Sequence, residues 1–228
     1  MTDKPEHKQP VPNFYPSAKK SPRQPSQARG RQRVGVLLDA CARLISEHGE
    51  SSLTMHRLAG EARTSIGSLY HFFPDKNAVL NALSQRHLEA LQNITGQLGA
   101  VPDEAWQRLT SEEVVKNLIY PYLEYVANHP EIQVLIQPRQ GERKLRSPEL
   151  QAAVRDIYDK VLTLRLPDAS PDDRRTYSAT MFCIPSGMFY LIPESDDVRK
   201  RVWLEEVPRA LIAYLNALGS IAGAARDA

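Results

Sequence analysis

The stretch Thr54–Lys76, TMHRLAGEARTSIGSLYHFFPDK, predicts two short helices joined by a tight turn and stopped by a proline. Thr54 is a good N-cap, because its hydroxyl can accept from a backbone N–H that a helix start leaves unpaired. Met55, Leu58, Ala59 and Ala62 then recur at spacings of three and four, an apolar face of about two turns. Ser65 repeats the capping signal and places the turn near Ala62–Thr64. Helices this short do not hold their shape alone, so both must pack on something else. Such a pair is either a helix-turn-helix or a plain helical hairpin.

At about 100° per residue, Leu69 and Phe73 share one direction and Ile66 leans the same way, which defines the buried side of the second helix. Gly67, Ser68 and His71 point opposite, and Tyr70 lies on the flank. A glycine inside a helix costs roughly 0.5–1 kcal/mol, a cost that close approach of another surface would explain. Serine and histidine beside it can hydrogen-bond bases or phosphates. Pro74 ends the helix and Asp75 caps the next. Lys76 adds a positive charge at a helix N-terminus, where phosphate is already favoured. Before the pair, Arg33 to His48 places Val34, Leu37, Cys41, Leu44, Ile45 and His48 on one side, and Gly49 follows as a C-terminal glycine. Three helices therefore precede Pro74.

The run VLLDACARLISEHGESSLTMHRLAGEARTSIGSLYHFFPDKNAVLNAL resembles the N-terminal DNA-binding domain of the TetR (tetracycline repressor) family over about Arg31 to Leu91. The likeness rests on Gly49, Thr54, Leu58-Ala59, Ala62, Ser65, the cluster Gly67-Ser68-Leu69-Tyr70, Phe73 and Lys76. It implies that the second helix of the motif, within 54–73, lies in a DNA major groove. On that basis Thr54 and His56 anchor the backbone, Ser65, Ile66, Ser68 and His71 face bases or flanking phosphates around Gly67, and Tyr70 and Lys76 clamp phosphates. The sequence departs from the family at Arg63-Thr64, where Gly-Val is usual before the capping serine. An arginine in a left-handed turn position costs on the order of 1 kcal/mol. It also departs at Ile66, often polar or basic in the family, which either contacts a thymine methyl or packs.

With 228 residues, 42% of them hydrophobic and 25% charged, the chain reads as an ordinary soluble one. Its formal charge of +2 is uneven: residues 1–35 carry eight Lys/Arg against Asp3 and Glu6, a net of +6 that leaves −4 for the remainder. That segment also holds six of the seventeen prolines, so residues 1–30 are expected to form a disordered basic arm. Arg29, Arg31 and Arg33 at its end either follow phosphates or enter the minor groove; the alternative is a solubilising tail. No apolar run reaches signal-peptide form or the ~18 residues of a membrane span, so a cytoplasmic protein without membrane contact is expected.

Past Leu91 the periodicity stays helical. Expected helices run from Asp75 to about Leu98, from a Ser111 cap to about Asn128 with Pro121 inside, from Pro130 to about Gln137, from Ser147-Pro148-Glu149 to about Leu164, from Ser170 to about Ile192, and within Val198–Leu218 with Pro208 marking a bend or a start. The chain is expected to be all-α, with about nine helices. The resemblance implies that residues 92–228 form an effector-binding and dimerisation domain whose last two long helices pair in a homodimer, with Phe182, Met188, Leu211, Ile212 and Leu215 as seam candidates. A two-fold dimer would read a palindromic operator in double-stranded DNA. Trp106, Tyr120, Tyr122, Tyr125, Tyr158, Met181 and Phe182 are the effector-pocket candidates, against the ordinary alternative that aromatic residues at helical spacing are core.

Catalysis finds little support. No two of the six histidines form an i, i+4 pair beside an acid, so no metal site and no cofactor is expected. There is no phosphate-binding glycine loop. Cys41 and Cys183 both fall in apolar surroundings and are expected to be packed thiols. The expectation is a ligand-responsive DNA-binding repressor, not an enzyme. A non-regulatory architectural DNA-binding protein and a helical interaction module are the alternatives.

Overall fold

The computed structural model describes residues 25–136, 147–187 and 195–224. Among these the only regular elements are helical. Helix α1 spans Pro25–His48, followed by a 3₁₀ turn at Glu50–Ser52, α2 at Met55–Glu61, α3 at Ile66–Phe72 and α4 at Lys76–Gly99. The C-terminal part adds α5 (Asp103–Arg108), α6 (Ser111–Ala127), α7 (Glu131–Ile136), α8 (Pro148–Arg165), α9 (Pro171–Ser186), α10 (Asp196–Arg201) and α11 (Val207–Ala224), the last two joined through a π-helical segment at Val202–Glu206.

Local chemistry sets most of these limits. Gly49 ends α1 at φ 74°, a left-handed conformation suited to glycine, and its N–H donates to Ile45 O at 3.0 Å. Thr54, Ser65, Asp75, Ser147 and Ser170 each accept a backbone N–H at a helix start. Helix α6 is capped by Thr110, one residue before the expected Ser111, because Thr110 and Glu113 form a reciprocal capping box.

Two expectations are corrected. Helix α1 begins at Pro25, so Arg29, Arg31 and Arg33 lie on a helix and not at the end of an extended arm; proline suits a first helical turn, and glutamine, alanine and arginine are good helix formers. The expected linker after α4 contains α5, started by Asp103 and Glu104 and tied to α8 by an ion pair of Lys160 with Asp103 at 2.8 Å. Pro208 stands in the first turn of α11, as an expected start there requires. It lacks the N–H that would reach the Leu204 carbonyl, the backbone widens into the π segment just before it, and Tyr120 Oη donates to Leu204 O at 3.2 Å. Residues 1–24, the end of the expected helix near Gln137, the continuation of α9 towards Ile192, and Met188 lie outside the described residues.

Two apolar cores result. The N-terminal one joins Leu37, Cys41 and Ile45 of α1 with Leu58 of α2, Leu69 of α3 and Val79, Leu80 and Leu83 of α4. The C-terminal one gathers Trp106, Leu118, Ile119, Leu123, Tyr158, Val161, Met181, Trp203 and Leu211. Two helices serve both. Helix α4 gives Leu83 to the first core and Leu98 to the second, and α7 gives Leu135 to the first and Ile132 to the second. Consequently α4 runs unbroken through the expected boundary near Leu91, and the two parts share a joint.

Candidate nucleic-acid interface

Helix α3 stands on Leu69, fully buried, with Phe73 buried just past its last turn and Ile66 half-buried. The opposite side is open: Gly67, Tyr70 and His71 are exposed and Ser68 is half-buried. A Cβ added at Gly67 would meet nothing within 4 Å, so no contact inside the chain requires glycine there. Tyr70, at 50% exposure, is among the most exposed large apolar residues described. The His71 ring meets only the edge of Phe72, at 5.2 Å.

The flanks hold this face in place. Thr54 Oγ1 accepts from Arg57 N at 3.2 Å at the start of α2, where His56 is exposed. Ser65 Oγ accepts from Ser68 N at 3.1 Å, which leaves its own O–H to donate elsewhere. Asp75 Oδ1 accepts from Ala78 N at 2.8 Å at the start of α4, whose first residue is the half-buried Lys76. In the turn, Arg63 has φ 49°, the one positive φ at a non-glycine residue among those described. Thr64 Oγ1 accepts from Arg33 Nη2 at 2.7 Å, so Arg33 bridges α1 to the turn. Arg43 of α1 pairs with Glu61 of α2 at 2.9 Å. Arg29 and Arg31 are exposed on the first turns of α1.

Two cations of this region escaped the sequence reading. Arg57 and Arg63 are exposed beside the cap and in the turn. Neither stands at a position the helix-turn-helix spacing marks, so only the charge count within the motif would show them. Together with Arg29, Arg31, Arg33 and Lys76 they surround the motif with cations, while Glu61 is engaged by Arg43. Cations of this kind supply the sequence-independent part of DNA affinity.

The pocket candidates do not share one environment. Trp106, Tyr158 and Met181 are buried in the C-terminal core, and burial pushes the Tyr158 phenol pKa upward. Phe182 is half-buried on the edge of that core. Tyr122 Oη lies 2.8 Å from Thr95 Oγ1, Tyr125 Oη lies 2.8 Å from His87 Nδ1, and Tyr120 serves the Leu204 carbonyl. An open groove of about 410 Å³ lies elsewhere, between Ser111, Arg165, Leu166, Leu215 and Asn216. Arg165 donates there to Leu109 O at 2.6 Å, and thus ties α8 to the loop before α6.

Of the seam candidates, Leu211 and Leu215 are buried within their own chain, which removes them from any surface. Cys183 is exposed, against the expectation of a packed thiol, because it falls on the outer side of α9. Cys41 is buried, and burial pushes its thiol up to about 12. Spacing alone had suggested no metal cluster, yet the fold brings His87, His129 and Glu131 together from α4, the α6–α7 loop and α7.

A buried Leu69 beneath an outward polar face, capped and ringed by cations, defines a helix-turn-helix protein with a larger helical body attached. Residues 37–83 match the family described as bacterial regulatory proteins, tetR family. A nucleoid occlusion factor SlmA of Actinobacillus pleuropneumoniae serotype 5b is 32% identical over 111 residues, 49% of this chain and 50% of that protein. The chain spans about half the length of the curated relatives it matches. Among solved structures, a TetR transcription regulator from Haloarcula marismortui aligns with TM-score 0.62 at 17% identity, over 82% of this chain and 98% of that one. A TetR/AcrR-family regulator from Thermobifida fusca aligns with TM-score 0.58 at 15% identity, over 79% and 97% respectively. These likenesses establish the shared fold. No helix among the described residues is long and apolar enough to cross a membrane.

Proposed function

We propose that the chain acts in the cytoplasm as a homodimeric repressor that binds a palindromic operator and is released by a small-molecule effector. The observation that carries this reading is the outward face of α3, where Gly67, Ser68, Tyr70 and His71 stand opposite the buried Leu69. Ser68 and His71 are assigned to base edges, and Tyr70 and Lys76 to phosphates. One such helix reads too few base pairs for useful specificity, and a two-fold dimer doubles the readout. With Leu211 and Leu215 committed to their own core, the seam is assigned to the free sides of α9 and α11, where Phe182 and Ile212 are half-buried and Ala213 and Ala217 exposed.

An effector that favours a different spacing of the two α3 helices shifts the population off DNA. A tenfold loss of affinity needs about 1.4 kcal/mol of such preference. The joint formed by α4 and α7 supports this coupling, since a shift of either disturbs both cores. A second reading is a non-regulatory architectural DNA-binding protein, which the likeness to a nucleoid occlusion factor favours. Selection of bound fragments from random and genomic DNA separates the two. A palindromic consensus at few loci supports the repressor, whereas sequence-blind binding rejects it.

A further inference from the structure

His87, His129 and Glu131 offer three metal-ligating atoms that all lie within 4.8 Å of one another. We propose that they form a site for a divalent transition metal of the zinc class, set in the joint between the two cores. His87 is on α4, His129 follows α6, and Glu131 opens α7. Glu131 Oε1 lies 3.3 Å from His87 Nε2 and 3.1 Å from His129 Nδ1. Ligands at 2.0–2.1 Å around a tetrahedral zinc stand about 3.3 Å apart, a separation that each of these two spacings matches.

The protonation pattern fits as well. His87 is fully buried, and its Nε2 lacks an aligned hydrogen-bond partner although it faces the Glu131 carboxylate. A buried nitrogen left that way is costly, and a metal would use its lone pair. His87 Nδ1 lies 2.8 Å from Tyr125 Oη. An Nδ1–H donated to that oxygen fixes the tautomer with the Nε2 lone pair facing Glu131, the arrangement that orients a metal-bound histidine. Burial pushes the Tyr125 phenol up to about 12, so it stays neutral. Glu131 Oε1 faces both imidazoles and supplies the oxygen ligand.

Access comes from one side. The His129 side chain is 35% exposed, against 0% for His87 and 6% for Glu131, so an ion can enter past His129 and a water can complete a fourth position. Two imidazoles and one carboxylate favour zinc, cobalt or nickel over magnesium or calcium. Arg86, next to His87, is engaged by Asp39 of α1. Because the ligands come from α4, the α6–α7 loop and α7, an occupied site would pin the joint.

The test uses the full-length, tag-free protein and Co²⁺, whose visible absorption reports coordination. Wild type is expected to take up one tightly held equivalent per chain with a tetrahedral spectrum, displaced by Zn²⁺ and not by excess Mg²⁺. Glu131→Gln and the partly exposed His129→Ala should lose that spectrum while keeping the wild-type helical circular dichroism. Tyr125→Phe, a positioning change, should retain the spectrum with about 10–100-fold weaker affinity. Zn²⁺ should raise the Tm of wild type and not of His129→Ala. No Co²⁺ uptake, or equal uptake by wild type, Glu131→Gln and His129→Ala, overturns the site. The spectrum is read without DNA, so its failure is separate from a failure of the DNA-binding reading.

Discussion

At Gly67 the chain leaves space that nothing described in it uses, since an added Cβ meets no atom within 4 Å. Gly67→Ala should therefore raise stability by roughly 0.5–1 kcal/mol and, under the proposed function, weaken DNA binding by placing a methyl on the face assigned to the duplex. Chemical denaturation and a binding titration on the same variant check the two signs. A gain in stability with unchanged affinity would remove Gly67 from the interface. Arg63 poses the converse question, because an arginine holds φ 49° where glycine would be comfortable. Arg63→Gly should relieve on the order of 1 kcal/mol of strain. If the guanidinium neutralises one phosphate, the same change lowers the slope of log affinity against log salt by about 1. Strain retained for a charge on the DNA side is the physical reading of this departure from the family.

Among elements, the legible features were those set by neighbouring residues. The caps at Thr54, Ser65, Asp75, Ser147 and Ser170 depend on one side chain and an amide three residues on, so the sequence displays them directly. The buried side of α3 followed from angle alone, and Leu69 and Phe73 occupy it. What was not legible depends on partners far along the chain. His87 lies 38 residues from Tyr125 and meets it only because α4 crosses α6. Tyr120, picked as a pocket residue, serves a carbonyl 84 residues away that Pro208 leaves free. Tyr120→Phe should accordingly cost about 0.5–1 kcal/mol, measured by denaturation midpoint. On α1 the buried Cys41, its thiol raised to about 12, should resist alkylation near pH 8 in the native protein and react once the chain is unfolded. Peptide mapping by mass spectrometry reads this directly, and modification of Cys41 in the folded state would contradict its burial.

Across the described residues, two cores are joined through α4 and α7, the joint to which the proposed function assigns the coupling of effector and DNA. Leu135 makes the point testable, since it belongs to the C-terminal half of the sequence and is buried in the N-terminal core. Leu135→Ala should cost about 2–5 kcal/mol and loosen the DNA-reading part, seen as faster hydrogen exchange in α1 and α4. Protection unchanged in those helices would separate the two cores. The apolar sides of the N-terminal helices were legible from the motif, but the sharing of α4 and α7 between two cores was not, because periodicity reports which side of a helix is apolar and not which neighbour covers it.

The central claim is that α3 reads DNA through Ser68 and His71 in a two-fold assembly. Its most direct test is selection from a random duplex pool by wild type, Ser68→Ala and His71→Ala in parallel. A palindromic consensus is expected for wild type, with the variants keeping the half-site spacing and changing the preferred bases within each half-site. The same consensus from all three proteins, or enrichment of no sequence by wild type, would contradict it.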